Sequence, residues 1–412
     1  MDERIEILLP TPAGPGAWED RLAALGDVDS PEPFGAEVVA FCRRLSALLR
    51  KDEVARRWPE IQAFAFWIRP NAVDRLRRHH LALTPDGAVM AGRGLIFHLP
   101  PRNVALLFAY GWILALLAGN RNVVRLPAHR AKQADILLRL IGRALDETPF
   151  LRQGQLFLSY GHDDAISAHL SSLCDMRVIW GGDETIRHMR GIALPPRASE
   201  LAFADRFSMA ALNPEAVLAL TDDGCADLAR SLFNDVFWFD QMACSSPRLF
   251  VWVGEAGRSF AAGQKLYAAL GAVAVRKGYG IDAGTLSAKL TYCYRAVLDG
   301  PVTRLRFFGA PLAVLSLDHF FDFRQNVFGA GTLFELNLPD LAALARYSHP
   351  KDQTLIHFGI PADALALFAR TLNGRGFDRM VPVGQALAFD MVWDGHDLLG
   401  AFSRPVSVIS SL

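Results

Sequence analysis

Leu95-Ile-Phe-His-Leu99, then Val104-Ala-Leu-Leu-Phe-Ala-Tyr-Gly-Trp-Ile-Leu-Ala-Leu-Leu117, then Asn122-Val-Val-Arg-Leu126, follow one another in the first third of the chain. The outer two are of strand length and rich in branched residues, and the middle run is long enough for several helical turns. The same alternation continues with an amphipathic helix over Ala131–Leu145, a strand over Gln155–Tyr160 and a helix over Ala165–Leu173. It ends with a strand over Met176–Trp180 and a short helical stretch, Glu184–Arg190. Strands alternating with helices predict right-handed crossovers and a parallel sheet covered on both faces. After Pro195–Glu200, read as a linker, the pattern resumes with strand Ser208–Leu212, helix Ala226–Trp238, strand Arg248–Val253 and helix Gly257–Leu270. The expected architecture is α/β, with two parallel-sheet lobes and a cleft between them.

Working outward, residues 1–33 are rich in Pro and Gly, and Phe34–Arg50 and Glu53–Trp67 carry apolar residues at helical spacing. Pro85-Asp86-Gly87 is a turn signal between short β-prone flanks, which predicts a small hairpin over Leu81–Phe97. The apolar run from Val104 to Gly119 is shorter than the roughly 20 residues a membrane span needs, with Arg102 and Arg121 just outside it. A buried helix is the expectation, with no membrane span. Met1-Asp2-Glu3-Arg4 opens without an apolar stretch, so no secretory signal is read there.

Composition narrows the classes. The chain has 412 residues and is 51% hydrophobic, with 43 Lys plus Arg against 43 Asp plus Glu. That content excludes disorder, and the charge balance excludes a basic protein held to nucleic acid by counterion release. Five cysteines without a CxxC pair argue against a disulfide framework or zinc cluster and fit a reducing cytoplasm. His98, His129 and His188 lack partners at metal-ligand spacing, so no metal is expected. GxGxxG, GxxxxGK[ST] and GxSxG are all absent.

Three stretches remain that can carry chemistry. Phe239-Asp-Gln-Met-Ala-Cys244-Ser-Ser-Pro-Arg248 lies between an expected helix and strand, which places Cys244 in a tight connecting loop. Cys42, Cys174, Cys225 and Cys293 read as small buried hydrophobes. His98-Leu-Pro-Pro-Arg-Asn103 ends a strand and precedes the apolar helix; Asn103 either caps that helix or offers its amide to an oxyanion. Ile179-Trp-Gly-Gly-Asp-Glu184 joins a strand to a helix. Its glycines either make a plain turn or let backbone approach a ligand at the helix N-terminus.

Taken together and in order, FHLPPRN, LLAGNRNVVRLP, VIWGGDE, FDQMACSSPR and GFDRMVPVGQALAF resemble an acyl-CoA reductase of the LuxC type, within the aldehyde dehydrogenase superfamily. The resemblance covers about Leu81 to Arg404. It implies an aldehyde dehydrogenase-like fold with a dinucleotide-binding lobe over 1–200, which includes the hairpin at 81–97. A catalytic thiol lobe over 201–390 and a C-terminal tail over 391–412 complete it. Cys244 matches the acylated nucleophile, and Asn103 the oxyanion-hole asparagine acting with the Cys244 backbone N–H. Arg125 falls where the superfamily commonly has a cofactor-binding lysine, and Trp180, Gly181, Gly182 and Asp183 match the turn near the cofactor phosphates. NADPH is the implied cofactor, and an acyl-CoA or other activated acyl donor the implied substrate. An acyl-protein synthetase partner is possible, and the hairpin resembles the superfamily's association element, so a homo-oligomer is expected.

The chain departs from the superfamily pattern where a general base would stand, since neither Glu200 nor Asp205 falls in register. Gln325-Asn326-Val-Phe-Gly329 has Asn326 where an acidic residue is usual. The expected reaction is reduction of a fatty acyl thioester to an aldehyde through an S-acyl cysteine. The alternatives are oxidation of an aldehyde to an acid, or a non-catalytic acyl-binding or scaffold role. The run Arg75–His80, Trp393-Asp394-Gly395 and Arg404 are read as structural.

Overall fold

The computed structural model describes residues 5–10, 18–101 and 104–409. The chain forms two compact units, Met1–Ala204 with Asp390–Leu412, and Asp205–Phe389. Each holds its own sheet.

The first unit contains β1 (Ile5–Leu9), β2 (Ala88–Gly92), β3 (Leu95–Leu99), β4 (Arg121–Leu126), β5 (Gln155–Tyr160), β6 (Met176–Trp180) and β7 (Ser199–Phe203). Six of these make one sheet in the order β1-β5-β4-β3-β6-β7, parallel from β5 to β7 with β1 antiparallel at the edge. From β3 the chain steps outward through β4 to β5, then returns to the other side of β3 with β6 and β7. That reversal makes a topological switch between β3 and β6, where open α/β sheets bind ligands beyond the strands' carboxyl ends. All of β3 and β5 is buried, which explains why neither alternates apolar and polar residues.

The apolar helix is Leu107–Leu117, buried on nearly all sides. Its Trp112 donates its indole N–H to Gln155 Oε1 at 2.7 Å. Among the described residues no helix is long and apolar enough to cross a membrane. The helix starts later than the sequence suggests, with Leu106 in the cap position.

The expected hairpin over Leu81–Phe97 is corrected by the structure. Leu81 and Ala82 end the helix Pro70–Ala82, β3 joins the main sheet, and β2 pairs antiparallel with the C-terminal strand Ser403–Ser407. The polypeptide between β2 and β3 is held by side chains instead of a hairpin ladder. Asn120 Oδ1 accepts from the Arg93 and Gly94 N–H groups at 2.7 and 3.1 Å, and Asp175 Oδ2 accepts from Leu95 N at 2.8 Å. Gly94 has φ +130°, and a Cβ there would lie 2.0 Å from Asp175 Oδ2, so only glycine makes this swing. The linker read at Pro195–Glu200 is also corrected, because Ser199 and Glu200 begin β7 and the unit boundary lies after Ala204. Within Asp390–Leu412, Asp394 and Gly395 (φ +48° and +73°) turn a two-residue hairpin that pairs Trp393 with His396.

The second unit contains β8 (Phe207–Leu212), β9 (Pro247–Val253), β10 (Val302–Phe308), β11 (Leu312–Leu317), β12 (Thr332–Leu338), β13 (Asp352–Phe358) and β14 (Arg379–Pro382). Their order is β10-β11-β12-β9-β8-β13-β14, parallel except for β10. Alternate residues of the central strands serve two cores, as the two-residue pleat requires. Ala210, Leu212, Phe250 and Trp252 pack with helices Asp222–Phe237 and Ala256–Arg276. Met209, Ala211, Leu249 and Val251 face the opposite core, which takes Cys293 and Phe368 from helices Ala283–Asp299 and Ala362–Leu372.

Candidate active site

Cys244 lies in the loop that enters β9, the middle strand of the seven. Between Gln241 and Pro247 only Met242 and Cys244 reach solvent. The loop is pinned to the neighbouring strand, since Ser208 Oγ donates to the Cys244 carbonyl at 2.7 Å and accepts from Thr354 N at 3.2 Å. All five cysteines are thiols, and the other four are buried. Burial pushes the Cys42 and Cys174 thiols up to about 12 and Cys293 to about 11, and raises Cys225 as well. Those four stay protonated and inert at neutral pH.

The approach to Cys244 has an unusual backbone. Phe239, Asp240 and Gln241 have φ of +55°, +52° and +63°, three consecutive non-glycine residues in the left-handed region. Each costs about 1 kcal/mol or more and persists only where the surroundings over-determine it. Gln241 supplies much of that constraint. Its Nε2 donates to the carbonyls of Pro247 (2.9 Å) and Thr332 (3.1 Å), and its Oε1 accepts from Thr332 N (3.0 Å), which ties the turn to the first residues of β9 and β12. Tyr279 donates its hydroxyl to Asp240 Oδ1 at 3.0 Å. From the other side Ala330 N donates to the Asp240 carbonyl at 2.9 Å. A Cβ at Gly329 would lie 2.4 Å from that same carbonyl, so the two segments meet only because residue 329 is glycine. Lys289, fully buried, holds the next carbonyls: its Nζ donates to Ala330 O at 2.6 Å and Pro311 O at 2.8 Å. Burial brings this ammonium down to about 8.

In the first unit, Trp180 ends β6 and stacks on Phe203 of β7 with ring centroids 3.6 Å apart. Gly181 N donates to Phe203 O at 3.1 Å, and Gly182 is the cap of helix Asp183–Arg190. A Cβ at Gly182 would meet nothing within 4 Å. The first-turn N–H groups of that helix therefore stand at the carboxyl end of β6, beside open space, at the switch between β3 and β6. Backbone donors and clearance of this kind fit the sugar-phosphate part of a dinucleotide. Arg125, near the end of β4, is two strands from β6. Its Nη2 donates to the carbonyls of Tyr160 (3.0 Å) and Gly161 (3.2 Å) at the end of β5. The fold thus gathers Trp180, Gly181, Gly182 and Asp183 and sets Arg125 apart from them. Asn103 lies outside the described residues.

The acidic residues near the unit boundary are occupied. Glu200 takes Arg177 Nη2 at 2.5 Å and Arg190 Nε at 2.9 Å; despite burial, these contacts hold its carboxyl below the usual range. Asp205 pairs with Lys351 at 3.1 Å. Asn326 is exposed, and its carbonyl accepts the Tyr292 hydroxyl at 2.6 Å. His98 is a buried imidazole beside Asn122 Oδ1 (2.9 Å), brought down to about 4 by burial. Gln241, Lys289 and Arg248 were not singled out by the sequence, although Gln241 stands three residues before Cys244 and Gly329-Ala-Gly331 is visible as a glycine pair.

Residues 73–274 match the family model described as acyl-CoA reductase (LuxC), a segment that contains Asn103, Arg125, the 180–183 turn and Cys244. Over 165 residues the chain is 26% identical to long-chain acyl-protein thioester reductase 2 of Photobacterium leiognathi, covering 40% of this chain and 33% of that protein. It therefore spans only about a third of that relative's length. Among solved structures it is similar to aldehyde dehydrogenase 21 of Physcomitrella patens, with a TM-score of 0.67 at 11% identity over 96% of this chain and 91% of that one. The NAD-dependent benzaldehyde dehydrogenase of Corynebacterium glutamicum superposes at 0.64 and 15% identity, covering 98% and 94%. Over residues 73–274 the chain is similar to the LuxC acyl-CoA reductases, and its fold is aldehyde dehydrogenase-like. The turn after β6 sets two adjacent glycines, Gly181 and Gly182, before the N-terminus of helix Asp183–Arg190.

Proposed function

We propose that the protein reduces a fatty acyl thioester to an aldehyde, with Cys244 as acyl carrier and NADPH as the hydride source. The observation that carries this reading is Cys244 itself, partly exposed on a loop whose backbone is strained and held, within the segment that matches the LuxC family. The Cys244 sulfur, as thiolate, attacks the thioester carbonyl, and the electron pair moves onto oxygen. In this reading the Asn103 amide and the Cys244 N–H donate to that oxyanion. Re-formation of the carbonyl breaks the donor's C–S bond, and the thiol, coenzyme A or its equivalent, leaves with a proton. NADPH, when bound, supplies the hydride that takes the S-acyl group to the aldehyde level. Toward it the chain offers the N–H groups after Gly182, the open face at that glycine, and Arg125. Release of the aldehyde returns the Cys244 thiol. Glu200 and Asp205 are committed to ion pairs, so neither is placed to activate water, which favours thiol exchange over hydrolysis.

An acyl-protein synthetase partner belongs to the same reading, as does self-association through the β2 ribbon, where Val89, Val406 and Ile409 are exposed. The test is intact-protein mass spectrometry after incubation with a panel of acyl donors, together with aldehyde formation from acyl-CoA plus NADPH. A single acyl adduct that is lost in Cys244→Ala is expected. Turnover of aldehyde with NAD and none of acyl-CoA with NADPH would overturn the direction proposed.

A further inference from the structure

Four residues after the thiol, the chain places a charge that the reaction above does not use. Arg248 is the second residue of β9, and it is only 6% exposed. Its guanidinium Nη1 is buried without a hydrogen-bond partner. Buried arginines elsewhere in this unit are differently placed: Arg324 forms a two-pronged pair with Asp352, at 2.7 and 2.9 Å. A buried guanidinium nitrogen without a partner is costly, and its presence calls for an anion or acceptor.

Burial disfavours the charge of Arg248, and the groups that oppose this are, in order, Cys244, Asp205 and Tyr292. Asp205, just before β8, is half exposed and already pairs with Lys351. Tyr292, on helix Ala283–Asp299, donates its hydroxyl to the Asn326 carbonyl, and burial pushes its phenol up to about 12, so it stays neutral. Cys244 is left as the group able to supply a full negative charge. The connection is short and rigid: the Cys244 carbonyl is held by Ser208 Oγ, and Ser208 is the cross-strand partner of Pro247, the residue before Arg248.

We propose that Arg248 is a positioning residue that serves as the fixed counter-charge of the Cys244 sulfur, holding it anionic before any acyl donor arrives. A guanidinium suits the role because it keeps its charge when buried, whereas a lysine ammonium would readily lose its proton there. A thiolate beside an arginine is the form that attacks carbonyls at neutral pH. This inference deepens the acyl-transfer reading but rests on it only for its purpose, because thiol ionisation is measurable without acyl donor or dinucleotide.

The test is the rate of Cys244 alkylation by iodoacetamide against pH, followed by peptide mass mapping, in the intact wild-type chain and in Arg248→Met, Arg248→Lys and Asp205→Asn. Arg248→Met should move the midpoint upward by about one pH unit or more, slowing alkylation at pH 7 about tenfold, while Arg248→Lys shifts it less. Asp205→Asn, a change at a half-exposed site that does not threaten folding, should move the midpoint down by removing a competing carboxylate. Superimposable profiles for wild type and Arg248→Met, or an unmoved or raised midpoint in Asp205→Asn, would overturn the proposal. An Arg248-dependent midpoint with no acyl adduct from any donor would leave this pair standing and remove the acyl-reductase reading instead.

Discussion

The turn after β6 and the loop before β9 do opposite things with their backbone. At Trp180–Asp183 the dihedral angles are ordinary, Gly182 has φ −66°, and a side chain added there would meet nothing. At Phe239–Cys244 three non-glycine residues are left-handed, and Gly329 permits a contact that any Cβ would block. The first region leaves open space beside the N–H groups of a helix start. The second fixes one sulfur in place and stabilises the unfavourable geometry with Gln241, Ala330 and Lys289. Under the proposed function the difference is expected: a binding turn can be relaxed because its ligand brings its own hydrogen-bonding groups, whereas a nucleophile must be held before its substrate arrives.

The comparison can be broken in several ways, beginning with the largest effect. Cys244→Ala should remove acyl labelling and reduce aldehyde formation by at least about a thousandfold. Its fold should be unchanged by circular dichroism, and retention of either signal would sink the assignment. Gln241→Ala should come next, because it removes the side-chain donor to the Thr332 and Pro247 carbonyls and leaves Thr332 N with only its bond to Gly329 O. A loss of about 3 kcal/mol in urea unfolding is expected, with slower alkylation of Cys244. The same substitution in the two regions then sharpens the contrast. Gly329→Ala should cost about 1–3 kcal/mol and disturb Cys244, whereas Gly182→Ala should leave stability within about 0.5 kcal/mol. Gly182→Val should weaken dinucleotide binding, read by calorimetry, several-fold at similar stability; equal stability losses at 182 and 329 would erase the distinction.

The smallest effect is in pH. Burial lowers His98 in the first unit to about 4, so its contribution is present above its ordinary pKa of 6.5 and is lost as pH falls from there through 4. Burial raises Asp235 in the second unit to about 7, against hydrogen bonds from Gly384 N and Ala386 N. Its contribution is present below 3.8 and is lost as pH rises through 7. Each slope is at most about 1.4 kcal/mol per pH unit. His98→Gln should flatten the acid-side loss, and Asp235→Asn the opposite trend, in unfolding curves recorded from pH 4 to 8. Slopes of the same sign in both variants would contradict the burial assigned to one of them.

The sequence by itself determined the alternation of strands and helices, the presence of a buried helix ending at Leu117 though not its start, and the loop position of Cys244. These follow from hydrophobic period and run length, which are local properties. It also isolated Cys244 among five cysteines, because the other four stand in apolar or helical surroundings. Tertiary structure decided the rest. The partner of β2 is a strand more than 300 residues later, and no local pattern names a partner at that distance. Left-handed geometry at Phe239, Asp240 and Gln241 is imposed by bonds to β9 and β12, since those residue types do not favour it alone. Arg248 looks in sequence like any surface cation at the start of a strand. Only the sheet, by placing β9 in its centre, buries that charge beside the thiol, because burial is set by what packs around a residue and not by what the residue is.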